Sequence, residues 1–456
     1  MRVCSLSALF LWLAFVAGAT EPHLFNIHDY GAAGDGVSLD TSAINKAISA
    51  CSEAGGGQVL FPPGRYVSGT VHLRSHVSLF LSAGATLVGT TNLTAYEAPA
   101  VPAFMPESTW GKWQRGLVVG EGIEDVAIGG PGMIDGNKVF DPTGEEHRRG
   151  PHTITFVDCR RFALRDFSIQ DSANYAIFFQ ASDDVEVRNV KITGGWDGVH
   201  FRGAGDRWCH NVSIRGCQFY TGDDSIAGRY WDNVVISGCV LNSACNGVRL
   251  IGPAVHLIVS DCLFHGPGRE PHRSSARHNM LSGIILQPGA WDKCDGLLDD
   301  VFVADNIMKD VSSPVTIWTK HGNPVGRITI SGLNATGVYR AAFSAESWSD
   351  LPITNVILRN ATIEFSGGGS ADLARKPVTR PGVDVRPLPA WGIYARNVEN
   401  LTCEDVRLDL AKDDERPVVA AETVGNLVLD HFRYPHVPGV ADPLLLTNVA
   451  SLRREQ

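Results

Sequence analysis

Three aspartates stand at matching places in two similar phrases of the sequence. Asp197 opens the phrase Asp-Gly-Val-His-Phe-Arg, and Asp224, preceded by Asp223, opens Asp-Ser-Ile-Ala-Gly-Arg. Carboxylates held close together repel one another, which raises the pKa of at least one of them and lets it keep a proton near neutral pH. An acid beside a carboxylate is the pair that hydrolysis of a glycosidic bond requires. We therefore predict that these aspartates are catalytic.

Further copies of the same phrase align without gaps at Asn246, Ser282 and Ser313. Their third and fifth positions are apolar or glycine, so the alternation of a strand points those side chains inward and the fourth and sixth outward. The predicted outward residues are His200, Arg202, Arg229, Arg249, Gln287 and Trp318. We predict that they bind substrate together with Trp196 and Asn246. Among the tryptophans, the strand register selects Trp196 and Trp318 as indole faces for sugar rings.

Asp and Gly are also favoured where a chain turns, so either phrase taken alone is more typical of a turn than of a catalytic site. Stacked strands lie about 4.8 Å apart, which makes Asp197 and Asp224 neighbours if the two phrases occupy adjacent coils. Three converging carboxylates beside outward His and Arg side chains favour a catalytic site over a simple turn.

The elements that hold these phrases form a repeat. Strand-like segments rich in Val and Ile recur at steps of 22–28 residues, with two longer steps of 44 and 45; they start at Phe162, Val185, Val212, Val234, Leu257, Val301, Ile328, Val356, Leu401 and Leu427. Such a period is typical of a solenoid, and β-branched enrichment favours strands over a leucine-rich repeat. The sequence predicts an all-β protein, a single right-handed parallel β-helix domain over residues 20–456.

One segment has helical spacing. Ile44, Ala47, Ile48 and Cys51 recur on one side of Thr41–Glu53, and Asp40 or Thr41 could cap its start. A solenoid needs its first coil covered. We predict an N-terminal capping helix near residues 40–53.

The chain ends and composition narrow the class further. Arg2, an apolar run from Leu6 to Val16 and the small residues up to Ala19 predict a signal peptide over residues 1–19 and a secreted protein without a membrane anchor. A net charge of −10 argues against nucleic acid or an anionic membrane as partner. The ten cysteines form no C-x-x-C pair and no Cys/His zinc spacing, so we predict no metal site. We also predict no cofactor.

Three phrases make the chain resemble a known family. FNIHDYGAAGDGVSLDTSAINKAI, GGGQVLFPPGRY and GGPGMIDGN resemble glycoside hydrolase family 28, which contains the polygalacturonases, within the pectin-lyase-like β-helix group. The resemblance implies a β-helix glycosidase. Polygalacturonases carry an Asn-Thr-Asp motif, where this chain has Gly195-Trp196-Asp197, and an Asp-Asp motif, which Asp223-Asp224 matches. The resemblance therefore implies that Asp223 is the general acid and that Asp197 and Asp224 hold the water for inversion.

Two family motifs are changed. The His-Gly motif reads Asn246-Gly247, and Ile285-Leu286-Gln287 stands where the family has Arg-x-Lys. The Arg and Lys of the family contact the carboxylate of the sugar, a charge-assisted contact that Ile285 and Gln287 cannot make. The sequence thus argues against plain polygalacturonase activity, with the outward arginines as candidate replacements.

We expect a secreted glycoside hydrolase acting on a carbohydrate, a pectin-like or related glycan. The alternatives are a β-helix polysaccharide lyase, for which arginine could serve as base, and a non-catalytic carbohydrate-binding β-helix. The polar loop from His265 to Met280 is expected to overhang one side of the outward face, and Glu346 is a spare candidate acid.

Overall fold

The computed structural model describes residues 23–100, 102–104 and 115–455. Within them, 36 strands pair in parallel with their counterparts in the neighbouring coils. The predicted parallel β-helix is confirmed. The signal peptide predicted for residues 1–19 lies outside the described residues. None of the helices in the described part of the chain is long and apolar enough to cross a membrane.

Each coil contributes strands to three parallel sheets. The first sheet contains Leu24–Asn26, Gly57–Phe61, Val77–Leu81, Glu124–Gly129, Arg160–Arg165, Asp183–Arg188, Cys209–Arg215, Trp231–Ser237, Ala254–Ser260, Leu298–Ala304 and Val325–Ser331. The second contains Asp35–Leu39, Gly64–Ser68, Ala85–Gly89, Met133–Asp135, Ser168–Gln170, Lys191–Thr193, Gln218–Thr221, Val240–Ser243, Leu263–His265, Ile307–Lys309 and Asn334–Val338.

The third sheet, called the site sheet below, carries the aligned phrases. Its strands are Val71–His72, Gly116–Glu121, His152–Val157, Ile177–Gln180, Val199–Arg202, Ile226–Arg229, Asn246–Leu250, Ser282–Leu286, Val315–Thr319 and Phe343–Ser347. Four longer strands continue the stack at its C-terminal end: Ile353–Phe365, Ile393–Leu410, Val419–Asp430 and Leu444–Glu455.

The described helical elements are short. Helix α1 spans Thr41–Glu53 and helix α2 spans Ala371–Arg375, with 3-10 turns at Ile27–Tyr30, Leu93–Ala95 and Glu145–His147. The apolar face of α1 is buried and packs on Leu24–Asn26 and Gly57–Phe61, the first strands of the first sheet. Asp40 precedes α1 but its carboxylate accepts from the backbone of Ala33 and Gly34 (2.7 and 3.2 Å) rather than capping the helix.

The core consists of side-chain stacks that run through the coils. The gap-free alignment of the phrases is the observed register, because Val199 pairs with Ile226, Ile226 with Val248 and Val248 with Ile284. All four are fully buried. Burial of such a side chain contributes roughly 1.5–3 kcal/mol. Period-two alternation therefore fixes which side chains of the site sheet point out of the solenoid.

The cysteine side chains also lie in the interior. All nine cysteines of the described residues are free and buried. Cys217, Cys239 and Cys262 stand in successive coils, each following its first-sheet strand, where they pack as small apolar side chains.

Candidate active site

The aspartates stand at one corner of the solenoid, where the chain enters the site sheet. The Gly198 amide donates to the Asp224 carbonyl (3.0 Å), and the Ser225 amide donates to the Asn246 carbonyl (2.9 Å). Asp197, Asp224 and Asn246 are therefore stacked in three successive coils. A Cβ atom on Gly198 would lie 2.5 Å from the Ser225 carbonyl oxygen, so the stacking requires glycine after Asp197. Gly198 is therefore needed for close packing between the coils, and the adjacent Asp197 side chain lines the cavity.

Asp224 is held by the next coil. Its Oδ1 accepts from the backbone amide of Asn246 (3.0 Å) and from the side-chain Nδ2 of Asn246 (2.8 Å), and its Oδ2 lies 3.6 Å from Arg249. Asn246, which replaces the family's histidine, thus orients Asp224 and does not line the cavity.

Asp223 points toward the cavity. Its side chain is 13% exposed, against 5% for Asp197 and 7% for Asp224, so it is the most accessible of the three carboxylates. Its Oδ1 accepts from the backbone amide of Asp224 (3.1 Å), and its Oδ2 lies 3.5 Å from the guanidinium of Arg149. Among the three, it is the group best placed to reach a substrate oxygen.

Asp197 forms a chain of contacts with His200 and Arg202. Arg202 Nε donates to His200 Nε2 (2.5 Å), which leaves the proton of a neutral imidazole on Nδ1, 2.6 Å from Asp197 Oδ2. Tyr175 stacks on the same imidazole with ring centroids 4.4 Å apart. His200 is largely buried but lines the cavity, and its imidazole holds Asp197 in place.

Burial and mutual repulsion perturb these groups. Burial, and then the charge of Asp224, raises the pKa of Asp223 to about 6, while Arg149 and Arg249 oppose the rise. Burial and the two other carboxylates raise the pKa of Asp197 well above its usual range. Burial, with nearby Arg202, lowers the pKa of His200 well below its usual range, so the imidazole is neutral. The cluster therefore carries a proton at pH values where isolated carboxylates have lost theirs.

Arg149 was not predicted, yet it is central to the cavity. It comes from the loop after Met133–Asp135, is almost fully buried, and places its guanidinium 3.7 Å above the ring of Trp196. It also donates to Glu146 (2.8 Å). Trp196 is thus the platform under Arg149, and its ring is not available to a sugar.

We expect Arg149→Met to raise the pKa of Asp223, because the substitution removes a positive charge and keeps the apolar contact with Trp196. An opposite charge at this distance lowers a carboxyl pKa by about 1 or more. With Asp223 as the general acid that the family resemblance implies, that acid would stay protonated to higher pH, and the alkaline limb of the kcat/KM profile should move up by about one pH unit. The matched control is Arg148→Gln, at an exposed neighbouring arginine. An unmoved limb in Arg149→Met, or an equal movement in the control, contradicts this role.

The cavity has a volume of about 440 Å³. The predicted residues that line it are Asp197, Asp223, Asp224, His200, Arg202, Arg229 and Arg249. Four others do not: Trp196, Asn246, Gln287 and Trp318. The prediction that Trp196 and Trp318 expose their indoles is wrong, since they are 2% and 1% exposed. Trp318 lies outward from the core as predicted but packs under Ile251 and Ala290.

Gln287 is fully buried. With its amide nitrogen toward the Val383 carbonyl (3.1 Å), its oxygen accepts from Arg249 Nε (2.8 Å). It therefore positions Arg249 and does not contact substrate. Glu346, the spare candidate acid, is also fully buried away from the cavity and is paired with Arg386.

Loops complete the cavity with residues that the strand pattern does not reveal. The overhanging loop predicted from His265 to Met280 supplies His272 and Arg277. His272 Nε2 lies 3.8 Å from Asp223 Oδ1, but burial, with nearby Arg277, lowers the pKa of His272 to about 4, so the imidazole is neutral near pH 7.

A second loop brings Trp291 to the cavity. The strand register did not predict Trp291 as an exposed indole, yet it is 62% exposed and lines the cavity. Its loop also brings Asp292 to Arg229 (2.6 Å).

One group at the site has the composition of a metal site. Ligand atoms of Asp223, Asp224 and Cys245 lie within 4.8 Å of one another. Burial raises the pKa of the Cys245 thiol well above its usual range, whereas metals bind the thiolate. Arg277 Nη2 also lies 3.1 Å from the sulfur, and its positive charge opposes a cation there. These residues suit acid and base chemistry better than metal binding.

Residues 24–249 match the family model for rhamnogalacturonase A/epimerase, pectate lyase-like. An exopolygalacturonase from Thermotoga maritima superposes with a TM-score of 0.63 at 19% identity, covering 85% of this chain and 93% of that one. Polygalacturonase QRT2 of Arabidopsis thaliana is 23% identical over 86% of this chain and 84% of its own length. The protein is a pectin-lyase-like β-helix, distantly homologous to the family 28 polygalacturonases.

This pectin-lyase-like β-helix is similar to other kinds of protein as well. The plasmin and fibronectin-binding protein A of Streptococcus pneumoniae is 30% identical over 38% of this chain and 24% of its own length. The group therefore includes proteins named for binding as well as for hydrolysis, and the residues of the cavity must distinguish the two.

Proposed function

We propose that the protein is a secreted glycoside hydrolase that cleaves a pectin-like or related glycan with inversion. The observation that carries the proposal is the buried cluster of Asp197, Asp223 and Asp224, in which one carboxyl has a pKa of about 6 and faces the cavity. Binding alone gives no reason to bury three repelling carboxylates together, because each charge loses solvation. Catalysis does, because it needs an acid and a base side by side.

In this mechanism Asp223 donates its proton to the leaving glycosidic oxygen. Both Asp197 and Asp223 have a raised pKa and line the cavity. We assign the acid to Asp223 because its side chain is the more exposed, 13% against 5%, whereas Asp197 accepts from His200. Asp197 and Asp224 hold a water and take its proton as it attacks the anomeric carbon. Hydrogen bonds from the backbone amide and the side chain of Asn246 hold the Asp224 carboxylate in position beside this water. His200 and Arg202 position Asp197.

The cavity also suits an acidic sugar. The guanidinium groups of Arg149, Arg202, Arg229, Arg249 and Arg277 line its wall. Most are in contact with protein acceptors, and Arg229 is held by Asp292. Arg277 has contacts with Ser275 Oγ, the Ala244 carbonyl and the Cys245 sulfur, none of them a carboxylate. It is our candidate replacement for the missing Arg-x-Lys pair, a role that the sequence assigned to strand arginines.

The test is a substrate panel of homogalacturonan, rhamnogalacturonan, their oligomers and neutral glycans. We expect new reducing ends, without an unsaturated product absorbing in the ultraviolet, and about 10²- to 10⁴-fold slower formation of those ends by Asp223→Asn. An ultraviolet-absorbing product would identify a lyase instead. Binding to a glycan that persists in Asp223→Asn, with no product from the wild-type protein on any substrate, would identify a binding protein.

A further inference from the structure

The outward face of the site sheet continues beyond the cavity, but it is covered there. On the C-terminal side of Arg249 the outward side chains are all buried: Ile285, Gln287, Thr316, Trp318, Ser344 and Glu346. Much of the cover is residues 366–392, which connect Ile353–Phe365 to Ile393–Leu410. We call residues 366–392 the cover segment. Because of it, the accessible part of the face ends at the cavity.

Apolar packing holds the cover segment against the coils. Val385 packs on Cys245, Leu281 and Ile285, in the coils next to the catalytic cluster. Leu388 and Ala390 pack in a second cluster with Ala341, Ala342 and Tyr394. The cover segment is therefore packed against the solenoid as part of its folded structure.

Polar contacts fix the same segment. Arg386 donates to both carboxylate oxygens of fully buried Glu346 (3.1 and 2.5 Å), which gives this acid a structural role. Nearer the cavity, the Val383 carbonyl accepts from Arg249 Nη2 (2.8 Å), and Asp384 lies 3.9 Å from Arg249. Val383 and Asp384 line the cavity and form its end wall.

The opposite end of the cavity is bounded as well. Tyr175 and Arg149 line it there, and the outward Phe178 and Thr155 beyond them are buried. Along one side, Ser274 Oγ donates to Glu146 (2.7 Å), which joins the loop that carries Arg149 to the loop that carries Arg277. The carboxylate cluster thus lies in a cavity with walls at both ends of the solenoid axis.

We propose that the enzyme acts on the end of a glycan chain, and that the cover segment imposes this mode of action. The inference rests on the proposed hydrolase function. A bond inside a long chain can be cleaved only where the polymer extends past the catalytic groups in both directions. Among the residues that the structure describes, the walls close the cavity in both directions along the solenoid axis. In the reaction, water gives its hydroxyl to the anomeric carbon, the glycosidic C–O bond breaks, and the leaving oxygen takes a proton, so that a short product leaves from the chain end.

The first experiment uses the wild-type protein and a linear oligomer of the glycan that it hydrolyses, with a bulky fluorophore attached to one end or the other. A blocked end cannot enter a closed cavity, and misplacement by about 1 Å already costs ~10²-fold. We expect one of the two labelled oligomers to be cleaved about 100-fold more slowly, and the other to lose one terminal product at a time. Equal cleavage of both, with internal products at the earliest times, overturns the inference and leaves the hydrolase function intact. No cleavage of any glycan overturns both.

The second experiment opens the end wall. The double variant Glu346→Ala/Arg386→Ala removes both partners of the buried pair, so neither charge is left alone. The matched control is Asp372→Ala/Arg375→Ala, an exposed pair on α2 in the same segment. We expect intermediate-length products from the first variant and terminal products from the control and the wild type. A folded first variant with an unchanged product profile contradicts the role of the cover segment. If it does not fold, the labelled oligomers still decide between chain-end and internal action.

Discussion

Replacement of Asp223 by Asn is expected to lower turnover on the natural glycan by about 10²- to 10⁴-fold while substrate binding survives. The substitution keeps the shape of the side chain and removes the proton that must reach the leaving oxygen. It keeps an acceptor for the Asp224 amide and leaves the contacts of Asp224 with Asn246 in place. Turnover on the glycan and binding by calorimetry measure the two effects separately.

A substrate with an activated leaving group provides the control for this role. Such a group departs without a proton, so it should restore most of the lost rate in Asp223→Asn and should restore little in Asp197→Asn or Asp224→Asn. If the activated substrate restores the rate of Asp197→Asn and not that of Asp223→Asn, then Asp197 is the general acid and Asp223 helps to hold the water. Both residues have a raised pKa. Near-normal turnover of Asp223→Asn on the glycan would make the aspartates structural turn residues.

The pH dependence of wild-type activity is an independent test of Asp223 as the general acid. Because burial and Asp224 raise the pKa of Asp223 to about 6, the acid is protonated below that pH and loses its proton above it. The alkaline limb of the wild-type profile should therefore fall near pH 6, and its movement in Arg149→Met tests which carboxyl produces it.

Much of the fold could be predicted because each coil repeats one local pattern. Val199, Ile226 and Val248 occupy the same place in their phrases, and parallel pairing stacks equal places on one another. The corner that holds Asp197 and Asp224 follows from the same register. Local alternation thus predicted both the core and the position of the carboxylates.

The walls of the cavity could not be predicted in this way. Arg149, Arg277 and Asp384 lie in loops whose path over the solenoid depends on long-range packing and not on a period. The same loops explain the error at Trp318, because alternation predicts only that a side chain leaves the core. Whether it then meets solvent depends on what covers it.

Loss of the base is expected to be as costly as loss of the acid. In Asp224→Asn no charged group is left to accept a proton at that position, and turnover on the glycan should fall by about 10²- to 10⁴-fold. The fold should survive, since the Asn246 side chain can still donate to the new amide oxygen. The control is Asp206→Asn, at an exposed aspartate away from the cavity. It tests for effects of an Asp-to-Asn substitution that do not depend on the site, and it should retain wild-type turnover.

Azide distinguishes a lost base from a damaged site in this variant. Azide needs no deprotonation to attack the anomeric carbon, and Asp223 can still protonate the leaving oxygen as the C–O bond breaks. We therefore expect added azide to accelerate Asp224→Asn and to form a glycosyl azide of inverted configuration, detected by nuclear magnetic resonance, with no comparable acceleration in Asp223→Asn. A product of retained configuration would show that a carboxylate attacks the sugar directly. Acceleration of Asp223→Asn alone would place the base at Asp223 and reverse the assignment.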